Sequence, residues 1–140
     1  MVKDIHDMHQ KFGVHDWVVK QKNEQNYDAL KMFLNFRMDF IDEEYKETLK
    51  AIYSDQDPEE IVDGLIDIIV VALGTLDAFG VDAQKAWDQV HNANMAKEAG
   101  VKPERPNPLG LPDLMKPVGW TAPNHDGNHG YFTDFIQKHI

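Results

Sequence analysis

The chain has 140 residues, 42% of them apolar and 27% charged, with no cysteine and a formal net charge of −10 at pH 7. That length suits one domain with a real core, and the acidic balance, with no basic run anywhere, excludes nucleic-acid or acidic-membrane binding through Lys/Arg contacts to phosphate. The lack of cysteine excludes disulfides and thiolate metal sites and fits a reducing compartment.

Ile5, Met8 and Phe12 recur at spacings of three and four, which predicts an amphipathic helix over 2–12, ended by Gly13. A polar connection follows that carries Trp17, Val18 and Val19, with Trp17 read as a core plug ahead of a ligand wall. A long helix is expected from about Asn26 to Tyr53, where no Gly or Pro interrupts Leu30, Phe33, Leu34, Phe36, Met38, Phe40, Ile41, Leu49 and Ile52. These cover more than one face, so the helix should pack on several neighbours and on a second subunit.

Asp57-Pro58-Glu59-Glu60 combines an N-cap acid, proline at the first helical position and a Glu three residues past the cap. The helix it opens should run to Phe79, before the left-handed cap residue Gly80. Its apolar stretch, Ile61 to Phe79, is broken by Asp63, Asp67 and Asp77. With no basic-then-apolar leader in the sequence, it reads as the core helix of a soluble, cytoplasmic protein with no membrane partner.

A further helix is expected from Asp82 to Gly100, with Ala83, Ala86, Trp87, Val90, Ala93 and Met95 on its inner side. No segment alternates with period two, so the fold class is all-α, a four-helix bundle over residues 1–100. From Val101 the prolines at 103, 106, 108, 112, 117 and 123 break regular structure. This extension, residues 101–140, holds Leu109, Leu111, Leu114, Met115, Val118 and Trp120, enough apolar surface to pack on the bundle or on a neighbouring subunit. A last short helix is expected over Tyr131 to His139. His125 and His129, in a Gly/Asn loop, read as solvated rather than as metal ligands.

The chemistry concentrates in Glu43-Glu44-Tyr45-Lys46-Glu47 and Asp63-Gly64-Leu65-Ile66-Asp67. On helices, Glu43 and Glu44 lie one turn from Glu47, and Asp63 lies one turn from Asp67. The short turn Ser54 to Pro58 folds the two helices antiparallel, so their carboxylates converge. No Lys or Arg occurs between Lys50 and Lys85, and unpaired carboxylates in an apolar helix cost several kcal/mol each, roughly. A hard divalent cation, Mg²⁺ or Mn²⁺, supplies the compensation. The spacing matches no calcium-binding loop, and no Glu-x-x-His occurs at these helices, so hydrolysis of a phosphate ester is favoured over oxidative dimetal chemistry.

With Gly80-Val81-Asp82 downstream, these motifs resemble the all-α nucleoside triphosphate pyrophosphohydrolases: the MazG-like, phosphoribosyl-ATP pyrophosphatase-like and dimeric dUTPase superfamily. The resemblance spans residues 28 to 100. Asp63 to Thr75, with His91-Asn92-Ala93-Asn94-Met95-Ala96-Lys97, is similar to the phage and bacterial MazG-like subgroup in particular, some members of which act on dGTP or GTP in phages with diaminopurine genomes. The superfamily's second motif is Glu-x-x-Asp. If Asp67 takes the Asp role, Gly64 stands where Glu is expected and Asp63 substitutes; the alternative pair is Glu60 with Asp63. Asp77 is read as a solvated or interface acid.

The resemblance implies hydrolysis of a nucleoside triphosphate to monophosphate and pyrophosphate, with Glu43, Glu44, Glu47, Asp63 and Asp67 around Mg²⁺ or Mn²⁺ and Glu44 or Glu47 as the base. It implies phosphate binding by Asn94 and Lys97, which share a helix face, and assembly as a homodimer or homotetramer, in the host cytoplasm if phage-encoded. Trp120, Trp17 and Phe12 are the candidate aromatic walls for the base. The competing reading is a noncatalytic acidic bundle that binds a protein partner through a solvated glutamate face; Asp63 and Asp67 inside the apolar helix argue against it.

Overall fold

The computed structural model describes residues 1–137. The chain forms two compact units, Gln84–Asn128 on one side of the division and Met1–Ala83 with the segment from His129 onward on the other.

The first unit is helical. α1 (Val2–Lys11) ends at Gly13, whose φ of 75° lets the chain turn directly into α2 (Val14–Asn23). The stretch expected as a polar connection is thus a helix. Its sequence hides this because only one edge is covered: Val18 is fully buried and Gln21 nearly so, while Trp17 leans on Phe33 with ring centroids 5.2 Å apart and stays 40% exposed. α3 (Tyr27–Tyr53) starts at Asn26, whose side chain accepts from the Ala29 amide and donates to Gln21 Oε1 at 2.9 Å. α4 (Pro58–Ala78) starts at Asp57, which accepts from the amides of Glu59 and Glu60 as the sequence predicts.

α4 ends in a Schellman arrangement: the Gly80 amide reaches the Asp77 carbonyl and the Val81 amide the Leu76 carbonyl, with Gly80 at φ 76°. Tyr131 packs its ring against Gly80, where an added Cβ would meet Tyr131 Cζ at 2.9 Å. The Tyr131 amide donates to the Phe79 carbonyl, and α6 (Phe132–Phe135) follows. Phe79 stacks on Phe132, centroids 4.8 Å apart, and meets Phe135 at 5.5 Å. Val18, Leu30, Ala78, Phe79 and Phe135 make the core, with Phe33, Leu34 and Tyr131 against it. The expected terminal helix is therefore present over four residues, and the part of it that reaches His139 lies outside the described residues.

The second unit carries α5 (Ala83–Met95) beyond its first residue, and an antiparallel pair, β1 (Glu98–Gly100) with β2 (Asp113–Met115), in register Glu98 to Met115. α5 stops five residues before Gly100, because Glu98–Gly100 pairs as a strand instead. The extension is accordingly not irregular throughout. Asp113 holds the hairpin: its Oδ1 accepts from the Leu114 amide at 2.8 Å, and Oδ2 faces Arg105 at 3.4 Å and Lys102 at 3.8 Å. Of the side chains expected inside on α5, Ala93 is buried, while Trp87, Val90 and Met95 are exposed.

The architecture is all-α as expected; among the described residues, five helices lie within residues 1–100, where four were expected, and α6 is the expected short last one. Among the described residues, no single helix is long and apolar enough to cross a membrane.

Candidate active site

Thr48 and Gly64 set how closely α3 and α4 approach. The Thr48 hydroxyl turns back to the Glu44 carbonyl at 2.7 Å, and a Cβ at Gly64 would collide with Thr48 Oγ1 and lie 3.2 Å from Thr48 Cβ. A carboxylate therefore has no room at position 64. Asp63 and Asp67 flank that contact on α4, across from Glu43, Glu44 and Glu47 on α3.

Glu44 registers the crowding. Its carboxyl is pushed above the ordinary carboxylate value of 4.5, first by burial and then by the negative charges of Asp67, Glu47, Glu43 and Asp63. Asp67 and Glu44 are half-buried, whereas Glu43, Glu47 and Asp63 are exposed. The expectation of an apolar helix wrapped around buried acids is corrected here. α4 buries the face that carries Gly64 and Val71, while Leu65 and Ile66, each about half exposed, stand outside it with Asp63. Glu60 lies in the capped first turn and is exposed. Lys46 pairs with Asp42 at 2.6 Å, and Arg37 is engaged by the Val71 carbonyl at 2.9 Å and Thr75 Oγ1 at 3.1 Å.

Such a donor set is all-oxygen, anionic and mutually repelling, which fits a hard divalent cation and suits no soft metal.

In the second unit, the Trp120 indole donates to the Ala93 carbonyl at 2.8 Å, and the ammonium groups of Lys97 and Lys116 lie 5.4 and 5.1 Å from its ring centroid. Lys97 sits just past the end of α5 rather than on a helix face shared with Asn94, and its amide donates to the Asn94 carbonyl at 3.1 Å. Beside Trp120 is a cavity of about 430 Å³ lined by Gln89, Asn92, Ala93, Pro117 and Pro123.

The profile of the phosphoribosyl-ATP pyrophosphohydrolase family matches residues 7–94, more than half of the chain. The chain belongs to that family. No curated protein and no solved structure gives a significant match. Members are nucleotide pyrophosphohydrolases that act on phosphoanhydride bonds and generally depend on a divalent metal. The matched span takes in Glu43, Glu44, Glu47, Asp63, Asp67 and Asn94, and ends before Lys97 and Trp120.

A second cluster within this pyrophosphohydrolase went unread in the sequence. Asp77, expected as a solvated or interface acid, is 9% exposed and meets three imidazoles. His6 Nδ1 lies 2.8 Å from its Oδ1, while His9 Nδ1 and His15 Nε2 lie 2.9 and 2.6 Å from Oδ2. Burial opposes ionisation of Asp77, but the hydrogen bonds from His6, His15 and His9 outweigh it and hold the carboxyl below its ordinary value. Burial lowers His9, against the hydrogen bond and charge of Asp77. The sequence holds only separate hints of it: His6 and His9 are three residues apart on one helix, His15 follows Gly13 at the start of the next, and Asp77 is an acid near the end of an apolar helix.

Proposed function

We propose that this protein is a metal-dependent nucleoside triphosphate pyrophosphohydrolase that converts an NTP or dNTP to its monophosphate and pyrophosphate. The observation that carries this reading is the raised carboxyl of Glu44, on which the charges of Glu43, Glu47, Asp63 and Asp67 act together. Four like charges around one carboxyl cost stability in the isolated protein, and a family of metal-dependent pyrophosphohydrolases gives them a purpose.

In this reading Glu43, Glu44, Glu47, Asp63 and Asp67 hold Mg²⁺ or Mn²⁺. When bound, the metal neutralises phosphate oxygens and lowers the pKa of water. Glu44 or Glu47 takes the proton of the attacking water. Attack at the α-phosphorus forms the new P–O bond and breaks the α–β anhydride, and pyrophosphate leaves with the bonding pair.

Substrate binding in the second unit is assigned to Asn94, Lys97 and Trp120, with Lys97 as a cation for phosphate and Trp120 as a face for the base. The resemblance to phage MazG-like enzymes makes dGTP and GTP the preferred pair in this proposal, with the cytoplasm, that of the host cell if phage-encoded, as the place of action.

Assembly as a dimer, or a dimer of dimers, is part of the reading. Phe36 at 62% exposure, Met38, Val62, Leu65 and Ile66 leave α3 and α4 with apolar surface that a second copy would cover.

The test is product analysis of the purified protein with Mg²⁺ or Mn²⁺ against ribo- and deoxynucleoside triphosphates, noncanonical bases included. Equal release of monophosphate and pyrophosphate from the guanine pair, abolished by EDTA, is expected. Release of orthophosphate, or no metal-dependent turnover of any nucleotide, overturns the proposal.

A further inference from the structure

We infer that His6, His15 and Asp77 form a second metal site, for a borderline divalent transition-metal ion of which Zn²⁺ is the type, separate from the carboxylate cluster. Three elements contribute one ligand each: α1 gives His6, α2 gives His15 and α4 gives Asp77, and their ligand atoms all lie within 4.8 Å of one another. The His6 and His15 rings are 4.5 Å apart between centroids and tilted by 39°.

Donors on one tetrahedral zinc, each at about 2.0–2.2 Å from it, stand roughly 3.3 Å apart. The contacts here are 2.8 Å from His6 Nδ1 to Oδ1 and 2.6 Å from His15 Nε2 to Oδ2. The ion therefore enters by opening these two pairs by well under about 1 Å and by drawing together the two imidazole nitrogens, which stand no more than 4.8 Å apart; ring rotation supplies both.

The surroundings resemble those of a metal carboxylate. His9, with its side chain 4% exposed, lies with Nδ1 2.9 Å from Asp77 Oδ2, the oxygen that His15 also meets, in position to fix the orientation of the ligating carboxylate. Gly74 makes room for that ring: a Cβ there would meet His9 Cε1 at 3.0 Å and would collide with the Arg37 guanidinium. On the other side the His6 side chain is 55% exposed and His15 22%, which gives the ion a path from solvent and leaves its fourth position to water.

Two imidazoles and one carboxylate select a borderline ion, whereas the cluster around Glu44 is oxygen only and selects a hard one. Asp77 follows Asp67 by ten residues of α4, about 15 Å of helix, so the two sites do not share ligands. A metal on His6, His15 and Asp77 would fasten α1 and α2 to the end of α4 and stabilise the fold rather than take part in hydrolysis.

The experiment is Zn²⁺ titration by calorimetry of chelator-treated protein in excess Mg²⁺, which keeps the carboxylate cluster filled, with thermal melts and native mass spectrometry in parallel. One Zn²⁺ per chain and a raised Tm are expected for the unaltered protein. His6→Gln, at an exposed position, and His15→Gln should weaken binding by about tenfold or more and abolish the Tm shift, with unchanged circular dichroism. Glu47→Gln should leave Zn²⁺ binding intact. X-ray absorption of the Zn²⁺ form should show imidazole scattering in the unaltered protein. Failure of the unaltered protein to bind Zn²⁺, or equal binding by His6→Gln and His15→Gln, overturns the inference; loss of binding in Glu47→Gln alone assigns the ion to the carboxylates and overturns it too.

Discussion

Thr48 and Gly64 face each other in the contact between α3 and α4, with so little room that a single added methyl group at position 64 would overlap the threonine hydroxyl. The contact leaves no room for a larger side chain at position 64, and Asp63 and Asp67 stand on either side of it along α4.

Replacing Gly64 with alanine should destabilise the protein by about 1–3 kcal/mol, the usual range for overpacking a tight contact. Gly64→Ala combined with Thr48→Ala should recover most of that loss, because the second change removes the colliding hydroxyl. Urea unfolding of the two variants beside the parent measures both effects, and a double variant no more stable than Gly64→Ala would mean the contact is not the cause.

Asp67→Asn should lower the pyrophosphohydrolase rate by about tenfold to a hundredfold or more, since losing a ligand costs at least what losing one of its outer partners does, while metal-free stability stays level or rises. The stability half follows from Glu44. Its folded carboxyl is raised above the ordinary value by burial and by the neighbouring acids, so this cost weighs fully on the fold above the folded value and is relieved as pH falls through it. Removing the Asp67 charge lifts part of that burden at neutral pH. Steady-state rates and chemical denaturation in EDTA read the two halves separately.

Acid should destabilise the metal-free protein in two windows. His9 is depressed below its ordinary 6.5 by burial, so the unfolded chain takes up a proton there while the folded one does not, and stability falls as pH drops below the ordinary value. Asp77 is also depressed, below 3.8, so its contribution is present above that value and is lost as pH falls through the folded one. Denaturation midpoints measured from neutral pH downward should show the first decline removed by His9→Gln and the second by Asp77→Asn.

Phe135→Ala should cost about 3–5 kcal/mol, the range for emptying a buried phenylalanine site. Phe135 is 7% exposed and its ring meets that of Phe79 at 5.5 Å. A thermal melt decides it: a variant melting with the parent would reduce α6 to an appendage.

Capping chemistry and hydrophobic spacing made most of the helical frame legible. Asn26 and Asp57 announce the starts of α3 and α4, and Gly13 and Gly80 announce the ends of α1 and α4, because each residue type satisfies a specific backbone need that sequence alone displays. α2 stayed hidden because its burial rests on Val18, Gln21 and the flank of His15 rather than on a repeating apolar stripe. The Glu43, Glu44 and Glu47 motif was visible since its spacing is intrahelical. The grouping of Asp77 with His6, His9 and His15 was not, because it joins residues 62 to 71 positions apart, and no local period encodes such a meeting. For the same reason the β1–β2 pair, held by Asp113 across a proline-rich loop, escaped a reading that took proline as the end of regular structure.

The rings of Phe132 and Phe135 that close on Phe79 arrive more than fifty residues after it in the sequence. A nascent chain halted at Asn128 holds α1 to α4 but leaves Phe79 without those partners, so the last step of folding waits for a distant segment to return. Long-range closure of this kind is slow compared with helix formation. The ring cluster around Phe79 therefore depends on a segment made last, and a chain that stops short of Phe132 keeps every residue of α3 and α4 but not the rings that close their shared core.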